Sequence, residues 1–299
     1  MASMKWIGGL GIAGLLSLSF LAGPAGYSQQ AVAATRNYPP NVTAAELTRE
    51  QMEQFLLNAR ILGERPAGKG ITNTKRITMT DGHYVHDAHV QDIDIYKAEY
   101  RTKDGIEKNF RDSYKFNIAA YRLDKIMDLN AVPVCVPRVV NGKPAAIDWW
   151  VDNVLFDEEG RRDKKIEPPD PNFWTRQLNT VRDFDQLIYN EDRNQGNLLI
   201  DNNWRLWAID HSRSFRPNPT VRDAKVLRRI SNKMLLAMKN LNAQVLRDSL
   251  LPFITEEDIE GLLARREWMV KFFESEISSK GTDAVLTDLP RKTPQVTIP

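Results

Sequence analysis

A single cysteine, Cys135, stands in a chain of 299 residues. An intrachain disulfide is therefore excluded, and a lone free cysteine of this kind reads as small core filler. Charge of either sign is also missing in excess: 41 Lys and Arg face 39 Asp and Glu, a formal +2. Duplex binders carry a basic excess or stripe, so no nucleic-acid partner is expected. The apolar stretch Ile7 to Ala22 runs for sixteen residues, short of the about 20 that cross a hydrocarbon core. No internal repeat is present. With 42% hydrophobic and 27% charged residues, the composition is that of a globular protein and excludes collagenous, disordered and multi-span chains.

What is present begins with an address. Lys5 precedes the Ile7 to Ala22 run, a Gly23-Pro24 break follows, and Ala31-Val32-Ala33 places small residues two apart. That order is an export signal over residues 1–33 with cleavage near Ala33. The chain is accordingly expected to be exported, periplasmic or secreted. A membrane partner enters only if the segment stays uncleaved as an anchor.

Thr43 and Glu46 form a capping-box start, and Leu47, Phe55, Leu56 and Ala59 recur at helical spacing, which predicts a helix over about 44–60. Residues 61–100 interleave polar and apolar residues in the manner of short strands and turns. A helix follows over 111–128, and then two strands around Asn141-Gly142, a hairpin turn signal. Residues 157–173, charged and proline-bearing, read as a solvated loop. The clearest helix starts at Thr255, boxed with Asp258, and stops at Gly281. The expected organisation is an N-terminal helical extension at 34–60, a β-rich unit at 61–150, a helical unit at 151–283 and a disordered tail at 284–299.

Chemistry concentrates between Asp185 and Phe215. Asp192-Arg193-Asn194-Gln195-Gly196-Asn197 leads into Leu198-Leu199-Ile200; Asp201-Asn202-Asn203 turns the chain, and Trp204 to Ile209 closes on Asp210. Two short apolar runs around that turn form a β-hairpin. Antiparallel pairing then sets Asn197 beside Asp210 at the open end, with Asp192 in the loop that feeds it. These hard oxygen donors suit Mg²⁺ or Mn²⁺ and not zinc. A carboxylate near an attacking hydroxyl, with oxygen ligands holding metal on phosphates, is what phosphoryl transfer requires.

The Asp192 to Asn197 segment followed by Ala208-Ile209-Asp210-His211-Ser212 resembles the catalytic and metal-binding segments of atypical kinases. That group holds phosphatidylinositol 3/4-kinases, HipA-like kinases and secretory-pathway kinases of the Golgi casein kinase type. The resemblance implies an α+β, bilobal protein-kinase-like fold with a small β-rich N-lobe, a larger helical C-lobe and a metal-binding β-hairpin. It implies Asp192 as catalytic Asp, and Asn197 and Asp210 as metal ligands, with ATP and Mg²⁺ or Mn²⁺ as cofactors. Less specifically, Gly68 and Gly70 resemble the phosphate-covering turn, and Lys97 the strand lysine that pairs with phosphates. Asp148 and Trp149 resemble the adenine-side strand. Asn117 stands at the helix position where the group has a Glu that pairs the lysine. The acceptor would be a protein, lipid or sugar hydroxyl.

Two other functions fit parts of the same sequence. Asn117 supplies no charge, and an ATP-poor exterior points the same way, to a pseudokinase that binds nucleotide or serves as a scaffold. His83, His86 and His89, with Asp87, invite a metal-dependent phosphohydrolase. Residues three apart share a face only on a helix, and Asp81-Gly82 favours a loop there.

Overall fold

The structure, a computed structural model, describes residues 47–67, 75–102 and 105–288. Helix α1 (Arg49–Asn58) begins at a capping box formed by Thr48 and Gln51: the Thr48 amide donates to Gln51 Oε1, and the Gln51 amide to Thr48 Oγ1. The Thr43 and Glu46 box expected from the sequence lies outside the described residues, as do the export segment and Gly68 and Gly70.

Strands β1 (Arg60–Pro66), β2 (Lys75–Thr80) and β3 (Val85–Gln91) come next. A separate hairpin, β4 (Asp94–Thr102) and β5 (Gly105–Ser113), stands between β3 and helix α2 (Tyr114–Ile126). After β6 (Cys135–Val140) and β7 (Lys143–Trp149), a five-stranded antiparallel sheet is complete in the order β1-β2-β3-β7-β6. Asn141 and Gly142 turn β6 into β7 with φ of 51° and 80°, the left-handed pair that a two-residue hairpin turn demands.

Register sorts the two faces of this sheet, because residues directly opposite point the same way. Ile77 faces Ala88, Ala88 faces Trp149 and Val90 faces Ile147; Phe55 of α1 packs on Trp149, so this face belongs to α1. Arg76 faces His89, His89 faces Asp148 and Gln91 faces Ala146. The amide of Gln91 meets Asn117, so this second face looks toward α2.

The remaining chain holds β8 (Val154–Asp157), α3 (Glu158–Asp163), α4 (Pro171–Leu187), β9 (Leu198–Asp201) and β10 (Leu206–Ala208), then α5 (Asn232–Asn240), α6 (Ala243–Leu250), α7 (Glu256–Lys280) and α8 (Thr282–Val285). Thr255 and Asp258 cap α7 as expected, and Gly281 ends it at φ 84°. One apolar core joins Phe55, Ile77 and Ile147 of the sheet region to Phe184, Leu262 and Phe273 of the helical region. Each fully buried Leu, Ile or Phe side chain contributes about 1.5–3 kcal/mol. No helix among the described residues is long and apolar enough to cross a membrane.

Three expectations are corrected. Residues 111–113 belong to β5, so the helix starts at Tyr114. The charged 157–173 stretch contains α3, where buried Glu158 ties Arg161 and Arg162 at 2.6 and 2.9 Å. The first residues of the expected tail are packed: Val285 and Leu286 are buried, Leu286 bridges Ile230, and Asp288 accepts from the Asn232 amide.

Helix α7 packs closely enough on the segment after Asp210 to require a glycine. A Cβ on Gly261 would lie 2.8 Å from the Pro217 carbonyl carbon and 2.9 Å from the Arg216 oxygen. Backbone cannot yield as a side-chain tip can, so Gly261→Ala is expected to destabilise the fold by about 1–3 kcal/mol, read from a denaturant midpoint.

Candidate active site

Helix α4 ends at Ile188, and Tyr189 leaves it in the left-handed region at φ 54°. The loop that follows is held from below. Asn190 Nδ2 donates to Asp185 Oδ1 at 2.9 Å, and its own Oδ1 accepts from the Asp192 amide at 3.0 Å. Arg193 forks onto Asp185 through Nε and Nη2 at 2.9 and 3.1 Å. Its Nη1 spans to the carbonyls of Asn197 at 3.2 Å and Ile209 at 2.5 Å. One guanidinium thus ties together the helix end, the loop and both arms of the hairpin.

The hairpin is β9 and β10 as the sequence predicts, with Leu199 opposite Trp207. A single 3-10 turn, Gln195–Asn197, leads into β9. The Ile209 amide donates to the Asn197 carbonyl at 3.0 Å, so Asn197 stands beside the residue that precedes Asp210. Asp210 is left-handed at φ 55°, and its Oδ1 accepts from the Ser212 amide at 3.3 Å. Asp192 and Asp210 are exposed and Asn197 half-buried, all open to a ligand.

A third carboxylate joins them from the β4–β5 hairpin. Asp112 is pushed above the ordinary carboxylate range by burial, against the pull of a hydrogen bond from Ser212; the neighbouring charges of Asp210 and Asp192 add to the rise. Its Oδ1 is buried with no hydrogen-bond partner. The hairpin is fastened where this matters. The Ser113 amide donates to the Ser212 carbonyl at 2.9 Å, Arg213 meets Glu107 at 2.6 Å, and Arg111 forks onto Asp258 at 2.8 and 2.7 Å.

Two amides join strand β3, helix α2 and the segment after Asp210. Asn117 Nδ2 donates to Gln91 Oε1, and Asn117 Oδ1 accepts from the His211 amide at 2.6 Å. The strand partner of Asn117 is therefore Gln91, which sequence reasoning missed. Lys97 is not that partner. It lies exposed on β4, outside the five-stranded sheet, with its ammonium 4.7 Å from the Tyr100 ring centroid.

The two adenine-side candidates separate. Asp148 is on the face shared with Gln91, its Oδ2 3.1 Å from His89 Nδ1. Trp149 is on the other face, stacked 3.8 Å from His86 against α1, and is a core residue. Trp150, given no role from the sequence, stands on the Gln91 side: Arg76 lies 3.9 Å over its ring, and its amide donates to the Asp87 carbonyl at 3.3 Å. The histidine trio does not assemble. His86 and His89 lie on one strand three residues apart and so point to opposite faces, His86 to Asp152 at 2.9 Å and His89 to Asp148. His86 and His89 therefore do not share a metal.

Among the described residues, no three His, Cys, Asp or Glu side chains form a ready-made metal cage. Mg²⁺ asks for none: it is held through one or two carboxylates together with substrate phosphates and water. Asp210 and the Asn197 carboxamide supply oxygen donors of that kind, and Asp112 offers beside them a further oxygen without a hydrogen-bond partner. The donor set fits a divalent ion.

No protein-family model matches the sequence, and no curated protein does. Solved structures do. A hydra Fam20 protein determined with sugar is 17% identical, with a TM-score of 0.59 over 79% of this chain and 91% of that one. The Golgi casein kinase with Mn and ADP bound is 12% identical, with a TM-score of 0.59 over 80% of this chain and 78% of that one. The fold of the chain is that of the atypical, secretory-pathway kinase group, a mixed architecture with an antiparallel-sheet N-terminal region and a helical C-terminal part.

Proposed function

We propose that the chain is an exported phosphotransferase that moves the γ-phosphoryl group of ATP to a hydroxyl acceptor with Mg²⁺ or Mn²⁺. The observation that supports the proposal is the hydrogen bond from the Ile209 amide to the Asn197 carbonyl, which brings Asn197 next to the residue before Asp210. Asn197 and Asp210 would hold the metal, which when bound offsets charge on the phosphates. Asp192 accepts the proton of the acceptor hydroxyl as that oxygen bonds to the γ-phosphorus, the bond to the bridging oxygen breaks, and ADP leaves. Gly68 and Gly70 would cover the phosphates, and Asp148 would line the base end. The Mn and ADP held by one solved neighbour and the sugar held by another support the nucleotide and leave protein, lipid and sugar hydroxyls as acceptors.

A second reading, a nucleotide-binding scaffold without turnover, draws on the uncharged Gln91 and Asn117 pair. One titration separates both from neither. At a hundredfold excess over its dissociation constant, ATP with Mn²⁺ is expected to stabilise the fold by about 2.7 kcal/mol, a rise of roughly 5–10 °C in Tm. Transfer of labelled phosphate to a panel of protein, lipid and sugar acceptors then favours the enzyme. Stabilisation with no transfer to any of them favours the scaffold, and no stabilisation removes both.

A further inference from the structure

The β4–β5 hairpin pairs with no other strand among the described residues. A two-stranded ribbon by itself is marginal in water, and this one is fastened along β5. Arg216 Nη1 donates to the Asn109 carbonyl at 3.0 Å, and the Ser113 amide to the Ser212 carbonyl at 2.9 Å. The outer edge of β4 has no such neighbour among the described residues. Every residue from Asp94 to Arg101 is exposed, Tyr96 to 68%, and Ile106, opposite Arg101, is exposed to 58%. An open edge of this length, carrying apolar side chains, is a template for a further strand.

The edge is complementary to itself. In Asp94-Ile95-Tyr96-Lys97-Ala98-Glu99-Tyr100-Arg101 the residues around Ala98 form a charge palindrome. Two copies set antiparallel about a two-fold at Ala98 place Lys97 opposite Glu99 twice and Tyr96 opposite Tyr100 twice. Moving the centre by one residue sets Lys97 against Lys97 or Glu99 against Glu99, and like charges directly opposite are destabilising. Within one chain these charges are unspent. Lys97 lies opposite Phe110 with its ammonium over the Tyr100 ring, and Glu99 lies opposite Lys108 without forming an ion pair. Neither Lys97 nor Glu99 has an ion-pair partner among the described residues. Charge on a strand edge ordinarily repels a second strand; here it attracts one of the same sequence.

We propose that β4 is a dimer edge, which pairs with β4 of a second copy of this chain, antiparallel and centred on Ala98, so that two hairpins become one four-stranded sheet. A strand edge is a small interface, so the dissociation constant is expected at about 10–100 µM. Sedimentation of the full chain from about 5 to about 500 µM then reads a mass that rises from one copy to two. Lys97→Glu and Glu99→Lys each set like charges opposite at both crossings, and each is expected to weaken self-association at least about tenfold. Mixed in equal amounts the two variants carry opposite charges at both crossings, and the mixture is expected to form the dimer that neither forms alone.

A wild type of single-copy mass over the whole range overturns the proposal and leaves the edge to another part of the chain or to a different protein. Dimers that survive both charge reversals place the contact elsewhere and overturn it as well. So does a mixture no heavier than its parts. Lys97→Glu combined with Glu99→Lys restores both crossings in one chain and is expected to dimerise as wild type does, which keeps the test where a single variant fails to fold; a folded double variant that stays monomeric overturns the proposal.

Discussion

Asp192→Ala is expected to lower phosphotransfer by about 10²–10⁴-fold while leaving the ATP and Mn²⁺ thermal stabilisation within a degree or two of wild type. The two readouts part because the side chain has one task and the loop another. Asp192 is exposed at the mouth of the site, and its carboxylate is absent from the bonds that hold the loop. Those bonds run through its neighbours: Asn190 accepts the Asp192 amide, and Arg193 carries the ion pair to Asp185. Truncating Asp192 at Cβ leaves both in place. Turnover equal to wild type would remove Asp192 from catalysis. Loss of nucleotide binding together with turnover would make it a metal or phosphate contact. Asp210→Ala gives the contrast, since metal-dependent stabilisation is expected to disappear there.

The hairpin at the centre of this site was legible because its logic is local. Two apolar runs around Asp201-Asn202-Asn203 have one antiparallel solution, and that solution brings Asn197 and Asp210 to the same end whatever the rest of the chain does. Helix α7 was legible for a similar reason, since Thr255, Asp258 and Gly281 mark both of its ends.

Lys97 was misread because β4 alternates like any other strand, and nothing within it says that it pairs only with β5. Sheet membership is a long-range fact. The resemblance implies a strand lysine, and an amide such as Gln91 at the end of the third strand, Val85–Gln91, carries no such signal. Asp112 was hidden by a period error: residues 111–113 were given to the following helix, whereas as β5 they deliver a carboxylate to Asp192 and Asp210. The histidines misled in the opposite sense. Spacing by three gathers side chains on a helix and scatters them on a strand, and β3 is a strand. Glu158 shows why composition alone misses short helices: a charged stretch reads as solvated until Arg161 and Arg162 close on a buried partner.

Arg193→Ala is expected to be the most damaging single change near the site, costing about 3–5 kcal/mol in stability, the range for breaking one side of a buried ion pair. The side chains of Arg193 and Asp185 are 13% and 7% exposed, so the orphaned carboxylate would sit largely out of water. Asn190 Nδ2 would be left as its bond within the loop, and the carbonyls of Asn197 and Ile209 would lose the N–H that joins them. A shift of about 1 Å in a catalytic constellation costs on the order of 10² in rate, so turnover is expected to fall at least that far at temperatures where the variant is folded. Arg193→Lys should recover little, because one ammonium cannot fork onto Asp185 and also span two carbonyls. Adding Asp185→Asn to Arg193→Ala separates the two effects: with the buried charge gone, about half or more of the lost stability should return. The rate should not, because the hairpin arms remain untied. Recovery of both together would mean that the ion pair, and not the bridge to Asn197 and Ile209, is what the site requires of Arg193.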